Sequence, residues 1–157
     1  MPALFDWTPE KIEYYRRASD YTGFFRKLVE LALPFFDAED EVVDLGCGLG
    51  LFDVLLAPYV RHIEAIDVHP YAIAYLKCAL VNGGITNVDA VLSDTADYIV
   101  SGAVARALDG GETRPTERMR VWDVIFMSFF GEASDTFNIL LRQARKRVVM
   151  ITHNDDK

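Results

Sequence analysis

Cysteine, histidine and long apolar runs are all scarce in this chain of 157 residues. Cys47 and Cys78 form no CxxC pair and no repeated framework, which excludes a disulfide scaffold and a structural zinc site and indicates a reducing compartment. His62, His69 and His153 have no HxH or HxxxH spacing, so we expect no metal site. No run approaches the roughly 18 apolar residues of a membrane span, and the amino-terminal segment lacks the pattern of a signal peptide. We therefore expect a cytoplasmic protein without a membrane segment.

Positive charge is also in the minority, with 16 Lys and Arg against 24 Asp and Glu, a formal net charge of −8 and a pI near 4.8. Affinity for nucleic acid comes largely from basic side chains that neutralise phosphates. The composition therefore favours a small-molecule partner and argues against a nucleic acid. The length and the hydrophobic fraction of 51% fit one domain with a sizeable core.

The apolar pattern alternates between strands and helices. A helical region is expected within residues 1–38, with Thr8 as N-cap and a break near Ser19 or Gly23. The predicted strands cover residues 39–46, 62–68, 87–94, 121–129 and 146–152, and helical patterns separate them. A polar segment at 109–120 is the best candidate for a mobile loop. The alternation predicts an open three-layer α/β sandwich, with a mostly parallel sheet of about five strands covered by helices on both faces.

The stretch DLGCGLG follows the first predicted strand and places Gly46, Gly48 and Gly50 at the turn into a helix. Glycine accepts positive φ and lets a ligand approach the main chain, and ligands of such sheets bind beyond this turn. The alternative is a tight turn with a close contact between helix and strand. Asp67 ends the second strand about 20 residues later, where an acidic residue suits ribose hydroxyls. It could equally cap the helix that starts at Pro70.

The spacing Asp44-x-Gly46-x-Gly48-x-Gly50 resembles motif I of the class I S-adenosylmethionine-dependent methyltransferases, and the resemblance spans residues 41–152. It implies that S-adenosylmethionine is the cofactor and S-adenosylhomocysteine the product, in a sheet of strand order 3-2-1-4-5. It further implies that Gly46 to Gly50 lie under the sugar and methionine portions, that Asp44 lies close to the methionine ammonium, and that Asp67 holds both ribose hydroxyls. The loop contains no Lys or Arg, which suits a cationic sulfonium better than a pyrophosphate.

The resemblance also suggests the rest of the cofactor site. Asp94 would accept from the adenine amino group, with Thr95 or Ala96 beside the ring and Val68 on its other side, although Asp94 could instead cap the next helix. The other candidate cofactor contacts are Cys47, Ser128, Phe129 and Tyr21. Within a single domain of residues 1–157, segment 1–38 would form a helical lid over a cofactor-binding core at 39–157. The aromatic and basic residues of that lid would be Tyr14, Tyr15, Arg16 and Tyr21, although such an aromatic stripe could instead belong to the core.

Methyl transfer from a sulfonium is an in-line displacement, so alignment supplies much of the catalysis. The reacting centre should face the end of the fourth strand, where Met127, Ser128, Phe129 and Phe130 stand; the two phenylalanines could instead be core residues. Ser-Phe-Phe-Gly departs from the Asn/Asp-Pro-Pro-aromatic tetrad of family members that methylate amide or amino nitrogens, which puts such acceptors in doubt. Ser128 and His153 are the catalytic candidates, His153 as a general base.

The family fold continues with a further helix and two strands, whereas this sequence ends at Lys157. The fifth strand would then be an uncovered edge that invites pairing with another strand. Three explanations are open: a shortened chain, a naturally minimal chain that forms a homodimer, or a cofactor-binding module that a partner completes. Three functions follow: a small-molecule methyltransferase, which we favour; a non-catalytic S-adenosylmethionine-binding domain or subunit; and an NAD-binding domain.

Overall fold

The computed structural model of the protein describes residues 6–95, 97–99, 120–128 and 134–152. The helices are α1 (Pro9–Thr22), α2 (Phe24–Ala32), α3 (Leu51–Leu56), α4 (Pro70–Gly83) and α5 (Ser134–Gln143), with short 3-10 turns at Leu33–Phe35 and Ala57–Tyr59. The strands are β1 (Glu41–Leu45), β2 (His62–Asp67), β3 (Val88–Leu92), β4 (Trp122–Ser128) and β5 (Ala144–Ile151). No helix within these ranges has the length and apolar character needed to span a bilayer.

The five strands form one sheet in the order β3-β2-β1-β4-β5, and every neighbouring pair is parallel. This confirms the predicted fold class and strand order. Val42 and Phe126 belong to an apolar cluster with α2, α3 and α4, whereas Val43 and Ile125 face a second cluster that contains Leu140 of α5. Because consecutive strand residues point to opposite faces, these two clusters are the two sides of the sheet.

The amino-terminal helices begin and break where the sequence predicts. Thr8 caps α1, since its hydroxyl accepts a hydrogen bond from the backbone N–H of Lys11, and Pro9 is the first helical residue. Gly23 adopts a left-handed conformation with φ 64° and separates α1 from α2. None of the residues of α1 is fully buried, whereas α2 buries Val29 and Ala32 against the sheet.

The basic residues near the start of β5 are held by acidic partners at the amino-terminal end of the sheet. Lys146 forms an ion pair with Asp40, whose side chain is fully buried. Arg145 Nη1 lies 3.6 Å from Glu41 Oε2, and Arg147 Nη2 lies 3.9 Å from Asp37 Oδ2. These contacts occupy the cations of this strand at the end of the sheet opposite the glycine-rich turn.

Gly50 is required for the packing of α3 against α4, and its replacement should be costly. It has φ 65°, and a Cβ placed there would stand 2.4 Å from Cδ1 and 2.9 Å from Cγ of Leu76. We expect Gly50→Ala to lower the free energy of unfolding by about 2–4 kcal/mol, through overpacking and a left-handed alanine. Urea denaturation measures this loss.

Gly84→Ala is the matched control, because Gly84 has φ 64° and nothing within 4 Å of its Cβ position. Its free energy of unfolding should fall only by the cost of an alanine in the left-handed conformation, about 1–2 kcal/mol. Equal losses in the two variants would contradict the proposed contact with Leu76.

Candidate functional site

The glycine-rich turn between β1 and α3 is a left-handed loop fastened to the carboxyl end of β2. Gly46, Gly48 and Gly50 have φ values of 80°, 56° and 65°. The backbone N–H groups of Gly46 and Cys47 both donate to the carbonyl of Ile66, at 2.8 and 2.9 Å. The conformation predicted for the three glycines is therefore present, and the loop stands at the edge of the sheet where ligands of this architecture bind.

Asp67 connects this loop to the start of α4. Its Oδ2 accepts from the backbone N–H of Gly48 at 2.8 Å, and its Oδ1 accepts from that of His69 at 2.8 Å. The N-cap residue of α4 is His69, which makes no side-chain cap bond. Asp67 stands two residues before it and therefore does not occupy the cap position. A carboxylate oxygen can accept two hydrogen bonds, so each oxygen of Asp67 retains capacity for a hydroxyl donor.

The end of β3 lies beside Asp67, as the sequence predicts. The backbone N–H of Ser93 donates to the Asp67 carbonyl at 3.0 Å. Asp94 Oδ1 accepts from the backbone N–H of Asp97 at 3.2 Å, which is the capping role considered for it. Thr95 is nearly buried, and Val68 is 41% exposed. The adenine contacts suggested for these residues stay predictions.

Two buried carboxyl groups lie under the glycine loop. Asp44 of β1 is 2% exposed and Asp53 of α3 is fully buried. The two carboxyl groups act on each other electrostatically. Among the described residues, Asp44 Oδ1 and both oxygens of Asp53 have no hydrogen-bond partner. The sequence interpretation included Asp44 but missed Asp53, whose signal was an acidic residue within the apolar helix LFDVLL.

Burial keeps these acids protonated at pH values where a free carboxyl would ionise. Desolvation raises the pKa of Asp53 to about 7. Desolvation also raises the pKa of Asp44 well above its ordinary value, and the negative charges of Asp53 and Asp67 add to this effect. Burial raises the pKa of the Cys47 thiol, with further contributions from Asp53, Asp44 and Asp67. The loop is thus surrounded by carboxyl groups and favours a cationic ligand.

The amino-terminal segment reaches the glycine loop through Trp7, a contact that the sequence did not suggest. Trp7 is buried, and its Cζ2 lies 3.4 Å from the Cβ position of Gly48. Its ring packs edge-on against Tyr15, with centroids 5.1 Å apart, in a cluster that includes Leu49. Tyr21, predicted to contact the cofactor, is 93% exposed and lies outside this cluster.

The predicted reaction centre is described only as far as the end of β4. Ser128 is half-buried and pairs with Ile151, and Met127 is buried between its neighbours on β1 and β5. Both residues stand at the carboxyl end of the strand, the same edge as the glycine loop. The predictions for Ala96, Phe129, Phe130 and His153, and most of the loop at 109–120, fall outside the described residues.

Curated relatives match parts of this chain. An uncharacterized protein of Methanocaldococcus jannaschii is 26% identical over 87 residues, which is 54% of this chain and 32% of that protein. A protein of Chlamydia trachomatis named as an uncharacterized RNA methyltransferase is 38% identical over 50 residues, which is 31% of this chain and 13% of that protein. The chain therefore spans a third or less of these relatives. No protein-family profile matches it.

Solved structures share the fold over most of the chain. Trm5b of Pyrococcus abyssi aligns with a TM-score of 0.56 and 20% identity over 75% of this chain and 30% of its own. A tRNA m1G37 methyltransferase of M. jannaschii aligns with a TM-score of 0.54 and 20% sequence identity, over 76% of this chain and 32% of its own. Coclaurine N-methyltransferase, bound to N-methylheliamine and S-adenosylhomocysteine, aligns with a TM-score of 0.52 and 19% sequence identity, over 76% of this chain and 31% of its own. The resemblance seen in the sequence is confirmed: the chain has the fold of the class I S-adenosylmethionine-dependent methyltransferases.

The prediction that argued against a nucleic-acid partner is wrong. The relative from C. trachomatis is named as an RNA methyltransferase, and a structure of the same fold is a tRNA methyltransferase. The prediction failed because affinity for a polyanion depends on local positive charge and on all parts of a protein, whereas a net charge averages over one segment. This chain spans only a fraction of those proteins, so its average says little about the whole.

The raised pKa of Asp53 predicts how stability depends on pH. Because that pKa moves from 3.8 unfolded to about 7 folded, its stabilising contribution is full below pH 3.8 and is lost as the pH rises to about 7. Asp53→Asn removes the titrating group. Relative to the wild type, we expect the variant to gain about 2 kcal/mol in free energy of unfolding between pH 5.5 and 7.5, at about 1.4 kcal/mol per pKa unit.

Urea denaturation at both pH values measures this gain. Glu30→Gln is the control, because Glu30 is an exposed carboxylate of α2 and should show no pH-dependent difference from the wild type. A constant difference between Asp53→Asn and the wild type at the two pH values would contradict the raised pKa.

Proposed function

We propose that this chain binds S-adenosylmethionine at the glycine loop and transfers its methyl group to an RNA. The observation that carries the proposal is the left-handed loop from Gly46 to Gly50, fastened by its main chain to Ile66 and to the carboxylate of Asp67. This arrangement leaves bare backbone beside an acidic residue at the ligand-binding edge of the sheet.

The residues present fit the cofactor. Asp67 would hold the ribose hydroxyls, Gly46 to Gly50 would support the sugar and methionine portions, and Asp44 would face the ammonium. The buried Asp44 Oδ1, which has no hydrogen-bond partner among the described residues, is consistent with a missing cationic group. When bound, the cofactor supplies an electrophilic methyl group on a sulfonium.

The use of the loop N–H groups argues against NAD. A pyrophosphate is held by loop N–H groups that point at the ligand. Here four of the loop's N–H groups already donate to protein oxygens: Gly46 and Cys47 to Ile66, Gly48 to Asp67, and Gly50 to Cys47. The loop also contains no Lys or Arg. Few donors remain for a polyanionic ligand.

The names of the relatives support RNA as the acceptor class, and the charges of this chain bear on how RNA would be held. Arg145, Lys146 and Arg147 of β5 are paired with acidic residues. They therefore do not form a free basic surface for phosphates. We infer that the described part supplies cofactor binding and alignment, and that a further segment or a partner supplies most of the RNA contacts. Ser128 and His153 stay proposed catalytic groups.

Removing the Asp67 carboxylate should abolish most cofactor affinity. We expect Asp67→Ala to weaken S-adenosylhomocysteine binding by at least about 30-fold, because charge-assisted hydrogen bonds contribute about 1.5–3 kcal/mol and the loop also loses its fastening. Isothermal titration calorimetry measures the affinity, with NAD as a second ligand that should not bind.

Asp89→Ala is the matched control, an exposed aspartate on the neighbouring strand that should retain wild-type affinity. Unchanged binding by Asp67→Ala would refute the ribose assignment. Binding of NAD but not of S-adenosylhomocysteine would refute the proposed function.

The acceptor is tested by transfer of a tritiated methyl group from S-adenosylmethionine. We expect the label to appear in bulk tRNA or rRNA and in none of a panel of small amines and phenols. Where this chain is part of a longer protein, the assay uses the full-length protein. Label in a small molecule alone would overturn the acceptor class. If no acceptor receives label although the cofactor binds tightly, the non-catalytic binding domain would be favoured.

A further inference from the structure

Asp44 and Asp53 are two buried carboxyl groups within an apolar layer. Asp53 stands on α3 beside Phe52, whose ring stacks on Phe126 of the sheet with centroids 4.1 Å apart. On β1, Asp44 pairs with Ala65 and Phe126 of the neighbouring strands. Burial in such a layer favours the protonated, uncharged form of a carboxyl group unless a cation is present.

Among the described residues, none that interacts with Asp44 or Asp53 carries a compensating positive charge. The elements packed against α3 are α2, α4 and the 3-10 turn at Ala57–Tyr59, and their buried residues are apolar. The titratable groups that interact with the pair are Asp67 and Cys47. One is acidic and the other is a thiol, so neither can neutralise a second carboxylate.

We propose that Asp53 is a second binding carboxylate beside Asp44, and that both carboxyl groups receive the ammonium group of the ligand's amino-acid portion. The inference rests on the proposed function, because it assigns the ligand of this pair. The unpartnered oxygens of Asp53, fully buried below the loop where that ligand would lie, are the observation behind it.

The exchange is balanced in charge and atoms. Without ligand, both acids are protonated below about pH 7; with an ammonium bound, Asp53 becomes a carboxylate beside it, and its proton passes to solvent. Ligand affinity should therefore rise with pH by up to about tenfold per unit while the pair is still protonated. A ligand without an ammonium group should show no such dependence.

Calorimetry of the whole chain with two probes tests the proposal. S-adenosylhomocysteine carries the amino-acid portion, and 5′-methylthioadenosine lacks it. Titrations at pH 6.5 in two buffers of different ionisation enthalpy give the number of protons released. We expect close to one proton for S-adenosylhomocysteine and none for 5′-methylthioadenosine, with the affinity for the former about threefold higher at pH 7.5.

Asp53→Asn separates this linkage from other sources of pH dependence. His69 also lies near the loop, with its Nε2 3.5 Å from Asp6, and the variant leaves it unchanged. Asp53→Asn should release no proton, bind S-adenosylhomocysteine with a flat pH profile, and bind 5′-methylthioadenosine as the wild type does. Glu30→Gln should keep the wild-type proton release.

The outcomes distinguish the two proposals. Tight binding of S-adenosylhomocysteine without proton release, or with the same release in Asp53→Asn, would overturn the role of Asp53 and leave the proposed function intact. Absence of binding for both probes at every pH would overturn the proposed function and this inference with it.

Discussion

The carboxylate of Asp67 is the contact on which the geometry of the site depends. Its two oxygens accept from the backbone N–H groups of Gly48 and His69, so one side chain fixes the loop after β1 and the start of α4 together. The loop needs this support because Gly46, Gly48 and Gly50 are the residues with the widest conformational freedom. A carboxylate that already aligns two N–H donors is also well oriented for further donors from a ligand, so the same bonds that order the loop prepare the site.

The buried acids under the loop impose a cost that is easiest to understand as preparation for a cation. An ionised carboxyl removed from water is strongly destabilising unless it is paired, and an apolar residue in place of Asp53 would avoid the cost. Stability and ligand chemistry thus oppose each other at Asp53, as they often do at functional sites.

Much of the fold could be predicted from local patterns, and the site only in part. The alternation of strands and helices, the break at Gly23 and the position of Asp67 at the end of β2 are consequences of short-range sequence rules, and the structure agrees with them. Asp53 was missed because nothing local reveals that a helical aspartate is buried on the side of the sheet that carries Asp44. Trp7 was missed for the same reason, since its contact with Gly48 joins residues that are far apart in the chain.

The failure of the charge argument has a specific physical origin. A formal charge of −8 excludes a chain that is basic throughout, but the acidic residues of this protein have particular partners. Asp37, Asp40 and Glu41 pair with the cations of β5, and Asp44 and Asp53 are buried beneath the loop. Charges neutralised in these ways contribute little to the field that an approaching polyanion meets. The quantity that would decide the proposed RNA binding is the unpaired charge around the edge of the sheet that carries the glycine loop, and net composition does not measure it.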